Sequence, residues 1–181
     1  MSSQVFQGTP VGLPEMLQVR EERAEIQGEL LASQPDGALL SVTLNIPGPV
    51  KTSPMIQGVF CQVKESLLDV LTTPQPLATL SRNLTTGNEF YALFALSPEV
   101  LKGRMMTFEI EHPLGRLLDL DVVFLKEGKL TGISRQDLGA APRKCLLCGQ
   151  DAKACGRSRQ HSVAELQEHI TTLIERNQQD G

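Results

Sequence analysis

The apolar positions change period several times along the chain, and each change marks an element. Residues 1–12 read as an irregular lead-in, with Gly8, Pro10 and Gly12. Pro14 suits the first turn of a helix, where its missing N–H costs nothing. Met16, Leu17, Ile26, Leu30 and Leu31 then form an apolar stripe among charges to about Ser33, and the Pro35-Asp36-Gly37 turn ends it. Ala38 to Ile46 is aliphatic and β-branched and predicts a strand, stopped by Pro47-Gly48-Pro49. Ile56, Val59, Phe60, Val63, Leu67 and Val70 recur at three-to-four spacing, which predicts a helix over 54–71 with one buried face. Cys61 lies near that stripe and reads as a small buried apolar residue.

The second half is more mixed. Leu77 to Leu84 is a short strand or a loop, and Glu89 to Leu96 a core strand. Pro98 after Ser97 predicts a helix start, yet TFEIEH within the same stretch alternates like a strand, so residues 98–110 fit either type. Leu117 to Phe124 alternates as a strand, and Leu130 to Ser134 is its hairpin partner across a turn at Gly128. Ser162 with Glu165 makes a capping box for a final helix whose apolar face is Val163, Leu166, Ile170 and Leu173. These elements predict an α+β fold, an antiparallel or mixed sheet over 38–134 with packed helices. The expectation is one domain over 1–181, with a Cys/Arg-rich segment at 141–161.

Composition narrows the function. The chain has 181 residues, 40% hydrophobic and 21% charged, so a buried core is expected rather than disorder. A net charge of -4 does not suit a general nucleic-acid binder, and one Tyr with no Trp leaves little for base stacking. No apolar run approaches the roughly 20 residues of a membrane helix. The start MSSQVFQGTP lacks a signal peptide's basic and apolar regions, so a cytoplasmic protein without membrane or nucleic-acid partners is expected. The charge is unevenly spread. Residues 14–36 hold six acids and two bases, whereas 141–160 hold five bases and one acid beside three of the four cysteines.

Two stretches carry candidate chemistry. In His112-Pro113-Leu114-Gly115-Arg116-Leu117-Leu118-Asp119-Leu120-Asp121-Val122, strand alternation puts Asp119 and Asp121 on one face. Two such close carboxylates repel unless a cation lies between them, and hard oxygen donors favour Mg²⁺, which can also meet phosphate oxygens. A solvated strand face would carry the same acids without a metal. Gly115 would let a phosphate approach the backbone, and Arg116 would donate to it in a planar fork. His112 is a structural histidine or a general base. The second stretch has the spacing C-x2-C-x6-C-x5-H over Cys145, Cys148, Cys155 and His161, which suits tetrahedral zinc. Metal-free buried cysteines and a redox C-x2-C remain open, while a cytosolic setting disfavours a disulfide. Arg143, Lys144, Arg157 and Arg159 frame the cysteines and suit a compact phosphorylated ligand or an acidic partner; a solvated basic surface is the plainer alternative.

Taken in order, HPLGRLLDLDVV (112–123), ISRQDLG (133–139), APRKCLLCG (141–149) and AKACGRSRQHS (152–162) closely resemble the apo-citrate lyase phosphoribosyl-dephospho-CoA transferase family, also called citrate lyase holo-[acyl-carrier protein] synthase. The resemblance extends across the chain, including the PGPVK turn at 47–51. It implies a nucleotidyltransferase-like enzyme of bacterial citrate fermentation. The family attaches the prosthetic group of citrate lyase to a serine of the lyase's acyl-carrier (gamma) subunit, from 2'-(5''-triphosphoribosyl)-3'-dephospho-CoA, and pyrophosphate leaves. The malonate decarboxylase counterpart does the same chemistry and carries the paired aspartates. By this resemblance Asp119 and Asp121 hold the catalytic Mg²⁺. On that reading Arg116 is the choice for a triphosphate contact, Gly115 admits a phosphate, and Arg143, Lys144, Arg157 and Arg159 hold the remaining phosphates or meet the carrier. Glu109, Glu111 and Asp137 are candidates for a third carboxylate. The Gly-Ser that usually precedes the acids in that superfamily is replaced here by Gly115-Arg116. Rival readings are a noncatalytic zinc module for an acidic partner and a related transferase acting on another acyl-carrier protein.

Overall fold

A computed structural model describes residues 4–180, with the side chain of Asp180 left out. A 3-10 turn over Gln4–Phe6 leads into helix α1 (Leu13–Ser33), strand β1 (Ala38–Leu44) and helix α2 (Pro54–Val70). Strands β2 (Ala78–Leu84) and β3 (Gly87–Phe94) follow, then helix α3 (Pro98–Glu111). Next come a 3-10 turn at Gly115–Leu117, strands β4 (Leu118–Lys126) and β5 (Lys129–Ile133), and helices α4 (Ala152–Ser158) and α5 (Val163–Asp180). The fold is α+β, as expected.

The five strands lie in the order β2-β3-β1-β4-β5, and every pairing is antiparallel. Strand β1 is central, and its first five residues are buried. This follows from its sequence, which is nearly continuous in apolar residues as expected for a strand covered on both faces. On one face Ala38, Leu40, Val42, Phe90, Ala92, Phe94, Leu118, Leu120 and Val122 meet the apolar sides of α2, α3 and α5. On the other face α1 sets Ile26, Leu30 and Leu31 over Leu39, Tyr91, Leu93 and Val123.

That second face changes character along the strands. The register aligns Leu93, Leu39 and Val123 in an apolar row, then Tyr91, Ser41 and Asp121, then Glu89, Thr43 and Asp119. Buried Glu89 is neutralised by Arg23 of α1 at 2.7 Å and Arg82 of β2 at 3.3 Å, and it accepts from the Tyr91 hydroxyl at 2.6 Å. These contacts tie α1 to the sheet where its apolar cover runs out.

Residues 98–111 are helical. Ser97 caps the helix by accepting the Val100 N–H, and Leu101, Met105 and Phe108 supply the buried stripe that the local alternation obscured. The 78–84 segment is a strand. Helix α4 was not anticipated; Asp151 caps it through the Ala154 N–H at 2.8 Å. Cys61 is exposed, contrary to expectation, because it lies beside rather than within the buried stripe of α2.

Candidate functional site

The site begins where β5 stops. β5 pairs only with Val122–Lys126, so Leu118–Asp121 have β1 on one side and no β5 partner on the other. Leu118, Leu120 and Val122 point into the core, while Asp119 is partly exposed and Asp121 exposed, on the opposite face. The carboxylates therefore share one face, as alternation demands. Along the open edge, Lys102 of α3 donates from Nζ to the Leu120 carbonyl at 2.9 Å. Burial depresses the Lys102 ammonium, and Asp121 opposes that shift.

Glu109, two turns after Lys102 on α3, organises the positive charge. Its carboxylate meets Arg135 Nη1 at 2.7 Å, Arg143 Nε at 3.1 Å and Arg116 Nη1 at 3.4 Å. Arg143 also donates from Nη1 to Asp119 Oδ1 at 3.0 Å, so one guanidinium joins the two carboxylates. Backbone carbonyls complete the clamp: Arg143 bonds that of Arg116, and Arg116 bonds that of Lys144. Burial raises the Asp119 carboxyl; Arg143 opposes this, and Asp121 adds to it.

A cavity of about 510 Å³ opens beside this cluster. Its walls include Arg116, Arg135, Arg143, Lys144 and, from α5, His169 and Leu173. Several guanidinium and ammonium donors around one cavity are suited to phosphate oxygens. Arg135 also keeps a buried Nε–H without a partner.

The cysteine segment forms the neighbouring wall. Arg143 to Ala152 doubles back as a tight hairpin, with Cys145 N–H donating to Gln150 C=O at 2.6 Å and Ala152 N–H to Arg143 C=O at 2.8 Å. Gly149 turns it at φ 69°, a left-handed conformation that glycine adopts without strain. The ligand atoms of Cys145, Cys148, Cys155 and His161 all lie within 4.8 Å of one another, a set that could hold a metal such as zinc. All four cysteines are free thiols. Burial pushes the Cys145 thiol up, but the Leu147 and Cys148 N–H groups and the Cys155 and Cys148 side chains outweigh it and bring it down to about 6. Burial, together with its two neighbours, pushes the Cys155 thiol up to about 12.

Comparison with known proteins places this arrangement. The family described as apo-citrate lyase phosphoribosyl-dephospho-CoA transferase matches residues 11–177. The chain belongs to this family. It is 45% identical over 169 residues to a Streptococcus pyogenes serotype M18 protein named "Probable apo-citrate lyase phosphoribosyl-dephospho-CoA transferase", covering 93% of this chain and 88% of that one. A Vibrio cholerae protein of the same name is 39% identical over 159 residues, covering 86% and 87%. "Protein CitXG" of Leuconostoc mesenteroides subsp. cremoris is 41% identical over 168 residues, which span 92% of this chain but 36% of that longer protein.

Within this family member, the structure joins Asp119, Arg116, Arg143 and Lys144 in one connected cluster. Arg157 and Arg159 are exposed on and just after α4, outside the cavity lining. Gly115 is buried, and a Cβ there would come within 2.3 Å of the Glu109 carbonyl oxygen. Its small size is required by packing against the end of α3. Of the third-carboxylate candidates, Glu109 is tied to the cluster and Glu111 is exposed. Asp137 is spent on a turn, accepting the Ser134 N–H at 2.7 Å and its hydroxyl at 2.8 Å. His112 stacks on Phe108 with centroids 4.9 Å apart, and its Nδ1 accepts the Leu114 N–H at 3.1 Å. Burial depresses its pKa. The sequence reading did not single out Lys102, Arg135 or His169. The seven-residue interval between Lys102 and Glu109 places both on one helical face, a signal that becomes readable once 98–111 is known to be helix. Among the described residues no helix is long and apolar enough to cross a membrane.

Proposed function

We propose that this chain transfers 2'-(5''-phosphoribosyl)-3'-dephospho-CoA from its triphosphate precursor to a serine hydroxyl of the acyl-carrier subunit of apo-citrate lyase. The serine oxygen forms a bond to the α-phosphorus, the bond to pyrophosphate breaks, and the hydroxyl proton is released to water. The family match over residues 11–177 carries the reading. The basic cavity beside the paired aspartates supports it, because the donor brings a triphosphate and the leaving group is an anion.

Asp119 and Asp121 would hold a Mg²⁺ ion. Their fit rests on two hard oxygen donors on one strand face; burial and Asp121 raise the Asp119 carboxyl, Arg143 opposes them from one side, and a cation would offset the rest. When bound, the ion supplies charge neutralisation at phosphate oxygens. Arg116, Arg135, Arg143 and Lys144 bind the remaining phosphate oxygens. Glu109 orients three of these four groups, so the donors are in place before the substrate arrives. Arg157 and Arg159, exposed beside the cavity wall, meet the acidic carrier. The 1–181 chain works as one transferase domain.

The test is to incubate the protein with the triphosphoribosyl donor, Mg²⁺ and the apo-carrier, then weigh the carrier. A gain of one phosphoribosyl-dephospho-CoA with release of pyrophosphate is expected. No gain on the citrate lyase carrier would overturn the substrate assignment. Asp119→Asn and Asp121→Asn should each lower transfer at least about a hundredfold while far-UV circular dichroism stays unchanged. Full activity in both would remove the role given to them.

A further inference from the structure

We infer that Cys145, Cys148, Cys155 and His161 hold one structural Zn²⁺ ion, and that this ion fixes the 143–161 segment as the wall that delivers Arg143 and Lys144 to the basic cavity. The inference stands apart from the identity of the acceptor, because it concerns how the wall is built.

The donor set selects the metal. Three sulfurs and an imidazole are poor ligands for Mg²⁺ or Ca²⁺ and suit tetrahedral Zn²⁺. Zn–S bonds of about 2.3 Å place tetrahedral sulfurs about 3.8 Å apart. Cys148 Sγ and Cys155 Sγ lie 3.9 Å apart, and all four ligand atoms fall within 4.8 Å. A contraction of at most about 1 Å therefore closes the site. Nε2 of His161 is buried without a hydrogen-bond partner. A lone pair in that position costs free energy unless something accepts it, and a metal does. The Leu147 N–H already points at Cys145 Sγ, at 3.5 Å, as a donor that favours the thiolate. Binding releases the thiol protons. Three thiolates, a neutral imidazole and Zn²⁺ sum to one negative charge, carried on a stretch that also holds Lys153, Arg157 and Arg159.

The segment has little else to hold it. Helix α4 has seven residues, and Cys155 is its one buried residue. So short a helix is not stable by propensity, and the hairpin before it contributes Leu146 as a partly buried apolar contact with the main core. A metal cross-link joins hairpin, helix and the turn to His161 at one point. This is the usual remedy for a unit too small to bury its own core. Arg143 lies two residues before Cys145, and Arg116 bonds the Lys144 carbonyl, so any loosening of the hairpin reaches the Glu109 and Asp119 contacts directly.

The full chain, purified under reducing conditions without chelator, should carry about one Zn²⁺ per molecule by elemental analysis. Replacement by Co²⁺ should give tetrahedral d–d bands and a thiolate charge-transfer band. Cys148→Ser and His161→Ala should lose most of the metal, and Cys61→Ser, away from the cluster, should retain it. Removing zinc should raise amide hydrogen exchange across 143–161 and raise the donor KM by about tenfold or more. Absence of zinc together with no cobalt spectrum on titrating the wild-type chain would overturn the site, as would full zinc retention in both ligand variants. Unchanged exchange and KM after zinc removal would overturn the coupling to the cavity. Metal content and exchange are read without carrier or donor, so a failed transfer assay leaves these outcomes intact.

Discussion

Glu109 is 10% exposed at its side chain and faces three guanidinium groups, which are 21–33% exposed. A carboxylate so placed serves the arginines more than it is served by them. Without it Arg116, Arg135 and Arg143 would repel one another and swing toward solvent. Glu109→Gln keeps the shape and removes the charge, so the donor KM should rise by about tenfold with a smaller change in kcat. Thermal melting should show a loss of about 2 kcal/mol, less than a fully buried pair because the arginines keep contact with water. Steady-state kinetics and a melting curve check both. An unchanged KM would mean that the arginines hold their positions through backbone contacts alone. At this scale the sequence named Asp119, Asp121, Arg116, Arg143 and Lys144 from pattern and resemblance. It placed Glu109 only among three possible metal ligands, because which side chains neutralise it depends on contacts across 7, 26 and 34 positions of chain.

The elements were largely legible, since each depends on local periodicity. The alternation of β4 and the α2 stripe from Ile56 to Leu67 come directly from sequence, but Val70, expected on that stripe, is exposed at the end of the helix. Residues 98–111 did not settle by periodicity, because TFEIEH alternates while the helix buries Leu101, Met105 and Phe108. Packing against the sheet decided it. The capping box of α5 was readable and is formed: Glu165 accepts the Ser162 N–H at 2.7 Å, and Ser162 Oγ accepts the Glu165 N–H at 3.2 Å. The Ser162 N–H and hydroxyl hold the Glu165 carboxyl below its ordinary value of 4.5. The sign follows. A depressed acid stabilises the fold above about pH 4.5 and loses that contribution as pH falls through its lower folded value. The difference in melting temperature between wild type and Glu165→Gln should therefore be present at neutral pH and close on acidification below about 4.5. Ser162→Ala, which removes the cap, should lower the melting temperature by about 3 °C at pH 7. A pH-independent Glu165→Gln difference would reject the carboxylate's part in the cap.

For the whole molecule, a net charge of -4 conceals a cavity walled by Arg116, Arg135, Arg143 and Lys144. Binding of the proposed triphosphate there would be electrostatic in large part, so the donor KM should rise steeply between low and physiological salt, and kcat should change little. A KM flat in salt would argue that other contacts dominate. The acids of α1 account for much of the overall sign, and one of them, Glu22, is paired with Arg82 rather than facing the cavity. By itself the sequence determined most of the helices and strands, the shared face of Asp119 and Asp121, and the family, because each rests on residues close together in the chain or on motifs in order; it left α3 and β2 open and missed α4. Only the tertiary structure decided that β5 stops short and leaves the edge of Leu118–Asp121 to Lys102 and Arg143. It also decided that Gly115 serves packing, and that Glu109 gathers the arginines. Those outcomes depend on which surfaces meet after the chain has folded, and burial and charge pairing between distant segments carry no local signature.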